Sequence, residues 1–536
     1  MTSSGNQKPP VSEQIAEFVL KVMTTGGIPL GSVGAYWQFF HNNDTRKAVL
    51  SVIIGGVISY GSKMMGPIHQ GNEARAEEAG KTINTKINSF ISRLTAVTAG
   101  IKNQYLDCQA SDVQDFCPEG ASIINSLPLE GIFVQPDIAT EVIQKRLKPP
   151  QVKDVDSKSR TIWYFLENAQ TKTAFRQIAL LGRGGYGKTM LLHYVTFYYS
   201  TKEMPKGVPK LIPFLLVLRH HQELLVKEPA TSLEELITYH SIPGLPDSEQ
   251  LSLPQDWALR MLRNGNALVM FDGFDEVSVK QRSEVALWLK KQMNRFSKAI
   301  FILASRPDAY IDQVPSSRLT MKTSLWLQDF DAKRRREFVT QWYRHRESDA
   351  RGRQDTPETW KHAAEAAEDV LKQIENTSQD ALQDLARNPL LLDVVVKLHR
   401  KVPGARLIDQ QMEICKVFCK LQLIDRPRAR DIAPTLKQCN DPLDVLQQIA
   451  FEMTRGQQKQ ISKVDLLKKL DRIIQKQNKD FSAKSFLTEI VQVSEILIRR
   501  GDIYEFSHSS FQKYLAKAYS SKFEKGPSYY PDFIDN

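Results

Sequence analysis

The sequence predicts an α/β core in which a mostly parallel sheet carries helices on both faces, followed by a helical domain and a smaller C-terminal domain, and preceded by an α-helical N-terminal region. Three observations carry that expectation. Apolar, strand-like runs alternate with helical stretches from about residue 130 to 320, the order that winds a parallel sheet. A glycine-rich octapeptide sits between one such run and a helix-like stretch. From Leu325 onward β-like runs nearly vanish and helical periodicity takes over.

The octapeptide is Gly182-Arg183-Gly184-Gly185-Tyr186-Gly187-Lys188-Thr189, which fits G-x-x-x-x-G-K-[ST]; Ile178 to Leu181 precede it, and Met190 to Val195 follow. Glycines let such a loop turn tightly and aim its N–H groups at a phosphate, and the helix start adds the positive end of its dipole. Lys188 then reaches the β- and γ-phosphates, and the Thr189 hydroxyl can ligate Mg²⁺. The residues thus predict binding of ATP or GTP.

The partner of such a loop belongs on another buried strand, and Ala267 to Phe271 run apolar into Asp272-Gly273-Phe274-Asp275-Glu276. Carboxylates delivered to the carboxyl edge of a parallel sheet meet the ligand there. Asp272 is the expected Mg²⁺ partner, directly or through water, and Asp275 or Glu276 is placed to polarise an attacking water. A third apolar strand, Ala299 to Ala304, ends in Ser305-Arg306-Pro307, so Arg306 arrives at the same edge, where it can sense a γ-phosphate. Leu211 to Leu218 form a further strand-like run.

Helical patterns dominate beyond the sheet: Trp360 to Gln373, Ser378 to Arg400 with an Asn-Pro at its middle that can start a fresh helix, Pro442 to Met453 and Val464 to Ile474. Ile496 to Phe506 read as a hairpin with Arg500-Gly501-Asp502 at the turn. The basic run Lys333 to Arg336 reads as the solvated face of a helix whose Phe338, Val339 and Trp342 turn inward. No repeat of about 20 to 50 residues is found, which excludes solenoid or propeller arrays from this sequence.

With 536 residues, 41% hydrophobic and 25% charged, the chain has room for roughly three to four globular domains. Its five cysteines form no CxxC pair, which suggests reduced thiols in a cytosol and assigns them no metal. The net charge of +11 allows attraction to nucleic acid or anionic lipid, yet basic and acidic residues are mixed along most of the chain, so nucleic acid stays open and is not favoured. The first residues show no secretory signal. Apolar stretches at 26–40 and 48–62 leave two readings, a buried helix of a bundle, which is favoured, or a segment that lies on or inserts in a membrane; about 20 residues are needed to span, and including Lys63 extends the second stretch to Ile68. Asn72 to Gln104 reads as a long amphipathic helix. His41 and His69 have no acids or nucleophile around them that would make an effector enzyme.

Five motifs in order carry a family resemblance: the phosphate loop, FDGFDE, the strand ending ASRP, the later ARNPLLL and the terminal FSHSSFQKYLAKAY. Over roughly residues 128 to 520 the chain resembles the NACHT group of STAND P-loop NTPases, which includes the NLR-type immune switches of bacteria and animals. The resemblance implies a P-loop NTPase core at 126–320, a helical domain at 321–438, a winged-helix-like domain with a C-terminal tail at 439–536, and an N-terminal effector region at 1–125. It implies ATP and ADP as ligands with Mg²⁺, held by Gly182, Gly184, Gly185, Tyr186, Gly187, Lys188, Thr189 and Met190. It makes Phe133 and Val134 candidate base contacts, makes Pro389 a residue that touches the base, and makes His508 the residue that reaches the β-phosphate in a closed form. By the residues alone, Pro389 is a first-turn helix proline and His508 an ordinary half-buried histidine. Relatives often carry Phe-Gln-Glu-Tyr where this chain has Phe511-Gln512-Lys513-Tyr514, which puts an acidic role at 513 in doubt.

The function implied is a signalling switch, closed on ADP, exchanging to ATP on an unknown trigger and oligomerising, with slow hydrolysis as the reset. Its expected output, by the same resemblance, is cell death or growth arrest during phage attack, with membrane damage by residues 26–68 as one route. Two other readings are an AAA-type ATPase working on nucleic acid and a membrane-associated scaffold with a regulatory NTPase. The expected location is cytoplasmic, with membrane association left open.

Overall fold

The computed structural model describes residues 100–116, 127–141, 160–202, 204–352, 356–375, 380–402, 406–407, 409–439, 441–476, 481–494 and 496–524. The apolar stretches at 26–68, both N-terminal histidines and most of the 72–104 helix lie outside the described residues. Among the described residues no helix is long and apolar enough to cross a membrane. The chain divides into two compact units. In the first, of which 100–107 and 247–257 are described, the rings of Tyr105 and Trp257 meet at 5.0 Å. The second comprises 108–246 and 258–536.

Six strands build its sheet: β1 Ile138–Glu141, β2 Gln177–Leu181, β3 Ile212–Val217, β4 Ala267–Asp272, β5 Ile300–Ser305 and β6 Thr323–Leu327. Their spatial order is β1-β6-β2-β5-β4-β3. Five run parallel, and β1 closes one edge antiparallel to β6, with Ile138 opposite Leu327. Every residue of β4, β5 and β6 is buried, because a parallel strand covered by helices on both faces has no wet side. Side chains alternate across the sheet. Ile178, Leu180, Met270 and Ile302 pack with Phe165 of α1 (Ile162–Asn168) and Leu191 and Val195 of α2 (Lys188–Thr201). On the other face, the Phe271 ring stacks parallel to Phe301 and meets edge-on Trp288 of α4 (Arg282–Arg295), which follows α3 (Leu218–Lys227). β6 lies beyond the expected boundary at 320, so the sheet closes several residues later than its composition suggests.

Helices follow: α5 Ala332–Ala350, α6 Pro357–Glu375, α7 Asp380–Leu385, α8 Pro389–Lys401, α9 Gln411–Lys420, α10 Arg426–Ala429, α11 Pro434–Gln438 and α12 Pro442–Arg455. The Asn-Pro in the middle of the long helical pattern does restart the chain: Asn388 caps α8 by accepting from the N–H groups of Leu390 (3.0 Å) and Leu391 (3.3 Å), with Pro389 at the first helical position. A small three-stranded antiparallel sheet ends the unit, made of β7 Gln460–Ser462, β8 Leu497–Arg500 and β9 Ile503–Phe506, with Gly501 in the left-handed turn between the last two. Helices α13 Lys463–Lys476, α14 Ala483–Val493 and α15 Ser509–Glu524 complete it. Residues on both sides of position 438, among them Val395, Phe418, Leu446, Phe486 and Leu515, share one continuous apolar core.

The basic run departs from its expected solvated face. Arg335 is buried, and its Nη1 donates to the Phe330 carbonyl at 3.1 Å. Positions 335, 338, 339 and 342 lie on one helical stripe, so Arg335 follows its apolar neighbours inward while Arg336 stays out, paired with Glu368 at 2.7 Å.

Candidate functional site

Lys188 begins α2 directly after β2, and the turn between them is made by glycines in the left-handed region, Gly185 at φ +81° and Gly187 at φ +82°. An L side chain rarely adopts that backbone, and such turns point successive N–H groups into one concavity. A Cβ on Gly187 would meet open space, while one on Gly182 would press on Leu327 at 3.2 Å. Lys188 Nζ donates to the loop's own carbonyls, Gly182 at 2.7 Å and Arg183 at 3.1 Å. Tyr186 turns its hydroxyl to Asp329, beyond the end of β6. Met190 occupies the first turn of α2, half-buried.

β4 and β5 deliver their polar ends beside this loop. Asp272 is fully buried and bonds the Thr189 hydroxyl; burial first, and the negative charge of Glu276 second, push its carboxyl up to about 6 against that bond. Asp275 lies lower than an ordinary carboxyl: burial opposes ionisation, but Arg306, Lys188 and Arg282 together outweigh it. Arg306 holds Asp275 twice, through Nε at 3.0 Å and through its backbone N–H at 3.1 Å. Glu276 is held by Arg219 Nη1 at 2.5 Å and, on its other oxygen, by Arg430 Nη1.

A nucleotide with Mg²⁺ fits these residues. The loop offers the N–H concavity and the ammonium, and Asp272 beside Thr189 is a buried carboxylate whose charge Arg430 offsets only in part, which a divalent cation would complete. Among the described residues no cluster of three or more His, Cys, Asp or Glu forms a metal cage; Mg²⁺ shared with phosphates needs only one or two protein ligands. Bound there, the ion would polarise phosphate oxygens.

The titration of Asp272 sets an expected pH dependence. A carboxyl raised from 3.8 to about 6 adds stability while protonated, and that contribution is lost as pH rises through about 6; the ionised form at neutral pH therefore costs the fold on the order of 3 kcal/mol. Cation binding needs the ionised form, so Mg²⁺-dependent nucleotide affinity should fall as pH drops through about 6. Asp272→Asn should raise the melting temperature measured without nucleotide near neutral pH and remove the Mg²⁺ dependence of nucleotide binding. Calorimetric titrations at several pH values check both.

The remaining expected contacts are more dispersed. Phe133 lies against the Tyr194 ring of α2, centroids 4.4 Å apart, while its neighbour Val134 turns into the core of the helices that follow the sheet. Pro389 is half-buried at the start of α8. His508 is partly buried; its Nδ1 accepts from Ser510 N at 3.1 Å and its Nε2 lies 3.9 Å from Asp384. Burial lowers its pKa, opposed by Asp384.

Four contributors were not singled out from the sequence. Asn388 donates its side-chain amide to Gly184 O at 3.1 Å, and the Leu390 N–H reaches Gly185 O at 3.3 Å, so the start of α8 seats on the phosphate loop. Arg219 follows β3 much as Arg306 follows β5, and the same sheet-edge rule would have found it. Arg282 Nη2 donates to the Asp275 and Val277 carbonyls, each at 2.9 Å. Arg430 lies in a basic stretch with no local sign of its role. Across the unit, Arg306 Nη2 donates to Val493 O at 3.0 Å, at the end of α14, and Arg499 pairs with Asp312 at 3.2 Å.

The NACHT domain family model matches residues 176–346. Among solved structures, the chain is similar to a Walker-type ATPase of Pyrococcus abyssi, with 16% identity, 69% of this chain and 99% of that one covered, and a TM-score of 0.37. It is also similar to the Orc1 protein of Aeropyrum pernix in complex with DNA (12% identity, 68% and 93% covered, TM-score 0.31) and to a RuvB variant of Thermotoga maritima (14% identity, 68% and 93% covered, TM-score 0.28). No curated protein matches the chain.

Proposed function

Residues 176–346 are a NACHT domain of the P-loop NTPase class, and from that premise we propose that the chain is an ATP/ADP-dependent switch whose nucleotide governs how the NTPase sheet and the C-terminal helices hold together. The observation that carries this is Arg306. It stands at the carboxyl edge of the sheet beside Asp275, yet its guanidinium also donates to Val493 O in the C-terminal region. A γ-phosphate drawing on the same guanidinium competes with that bond, so triphosphate and diphosphate favour different arrangements. Seating of Asn388 and Leu390 on the phosphate loop supports the same coupling.

In this reading ADP accompanies the closed arrangement, ATP opens it, the opened form self-associates, and hydrolysis resets it slowly. Asp275 and Glu276 orient the attacking water, and Thr189 and Asp272 hold Mg²⁺. Antiviral defence or programmed cell death is the proposed output, an inference from resemblance.

The test is mass-spectrometric identification of the nucleotide that copurifies, combined with turnover and light-scattering mass in ADP and in a non-hydrolysable ATP analogue. Retained ADP, negligible turnover and a larger mass with the analogue support the switch. Continuous turnover stimulated by DNA or RNA would instead favour an ATPase working on nucleic acid.

A further inference from the structure

Glu276 is the one acid of the site whose two oxygens are held from two different parts of the unit. Oε2 takes Arg219 Nη1 at 2.5 Å, and Oε1 takes Arg430 Nη1. All three side chains are largely shielded, with 11% of Glu276, 9% of Arg219 and 16% of Arg430 accessible, so water screens the ion pairs weakly. The carboxylate lies over Gly273, where a Cβ would stand 3.1 Å from Oε2. Arg219 opens α3 directly after β3 and moves with the sheet. Arg430 follows α10, among the helices beyond the sheet.

We propose that Arg430 is a positioning residue that governs hydrolysis from outside the sheet: paired with Arg430, Glu276 is held away from the attacking water, and withdrawal of Arg430 leaves the carboxylate on Arg219 alone, able to turn to that water. This rests on the NTPase switch proposed above and names the regulation of its site. Asp275 does not share the arrangement. Its direct partners Arg306, Arg282 and Lys188 all belong to the NTPase fold, and the helices reach it through the Arg306 bond to Val493 O, whereas Glu276 is ion-paired directly by a side chain of the helices.

Backbone geometry beside Arg430 points the same way. Ala433 sits in the left-handed region at φ +57°, which a residue with a Cβ and no polar side chain rarely adopts unless its surroundings enforce it; exposed Asp431, at φ +52°, tolerates that backbone more readily. Ala433 is buried, and the α11 start that follows is fixed by Glu489, which accepts from Thr435 N (3.1 Å), Thr435 Oγ1 (2.7 Å) and Leu436 N (2.9 Å). The segment that carries Arg430 is therefore held under strain between two anchors, Glu276 on one side and Glu489 on the other. Loss of the first anchor lets it relax.

The experiment is hydrolysis kinetics of the full chain with ATP and Mg²⁺. With Mg²⁺ saturating, because the Arg430 charge also acts on Asp272, Arg430→Ala should raise kcat on the order of tenfold, Arg430→Lys should restore part of the restraint, and in a Glu276→Gln background Arg430→Ala should raise nothing. Ala433→Gly relieves the strain without touching the ion pair and should lower kcat severalfold by favouring the held arrangement. An unchanged or reduced kcat in Arg430→Ala at an unchanged melting temperature overturns the proposal, as does an equal gain in the Glu276→Gln background. Should Arg430→Ala unfold, the sign of the Ala433→Gly effect decides, a rise overturning the proposal. A wild-type chain that binds no purine nucleotide would instead remove the switch itself.

Discussion

Lys188→Ala should reduce the affinity for ATP and ADP by about a hundredfold or more while leaving the fold nearly as stable as before. The ammonium is the charged donor that the glycine turn places closest to the phosphates, and hydrogen bonds to charged groups contribute roughly 1.5 to 3 kcal/mol each, so losing two reaches that change in dissociation constant. Within the loop, Nζ bonds the Gly182 and Arg183 carbonyls at 2.7 and 3.1 Å. Of the two carbonyls freed, that of exposed Arg183 takes water in place of the donor at small expense, and that of buried Gly182 is the costlier loss. The acids are not left uncompensated: Asp275 keeps Arg306 at 3.0 Å and Glu276 keeps Arg219. Arginine should not rescue the loss, because a planar fork replaces a compact charge in a loop shaped around one. Fluorescent-nucleotide titration beside thermal unfolding checks the pair of effects. Affinity retained within about threefold would contradict the assignment of the loop.

What the sequence disclosed of this site, and what it withheld, divides along the reach of the interactions. β4 and β5 are legible because each is apolar through its length and ends at once in charge, which sets Asp272 and Arg306 at one sheet edge. Capping by Asn388 was written locally too, in an Asn-Pro that breaks a helical pattern. β1 and β6 form a short antiparallel edge between segments far apart in sequence, and the three residues of β7 are too few for alternation to register. Arg335 departs for another reason: its charge predicts a solvated position, but it shares the helical stripe of Phe338, Val339 and Trp342. The partners of Glu276 and of the phosphate loop from the later helices, Arg430 and Asn388, are products of tertiary docking. Nothing in the residues around Arg430 announces its contact, and at Asn388 only the family resemblance does, by setting the neighbouring Pro389 at the nucleotide.

Gly185→Ala should be the most disruptive single methyl added to the loop, and its comparison with Gly187→Ala isolates the reason. Both glycines lie near φ +80°, so both substitutions carry the left-handed penalty, about 1 kcal/mol or somewhat more. Only at 185 does the new Cβ also collide, 2.7 Å from Asn388 Oδ1 and 2.8 Å from Leu390 Cβ, whereas at 187 it meets open space. Asn388 cannot step aside cheaply. Its oxygen caps α8 through two N–H groups and its amide holds Gly184 O, so moving it uncaps the helix, at about 1 kcal/mol, and breaks the bridge to the loop. Leu390 packs in the helical core, and the collision is with its Cβ, which no change of rotamer moves. Gly185→Ala should therefore lose about 2 kcal/mol or more beyond Gly187→Ala in unfolding measured without nucleotide. It should also expose the segment around Asn388 to faster amide exchange, as Gly187→Ala should not. If the two variants unfold alike and exchange alike, the seating of α8 on the phosphate loop carries no weight. If they differ as expected, the start of α8 is the physical link by which a phosphate bound at Lys188 is felt by the helices that also carry Arg430.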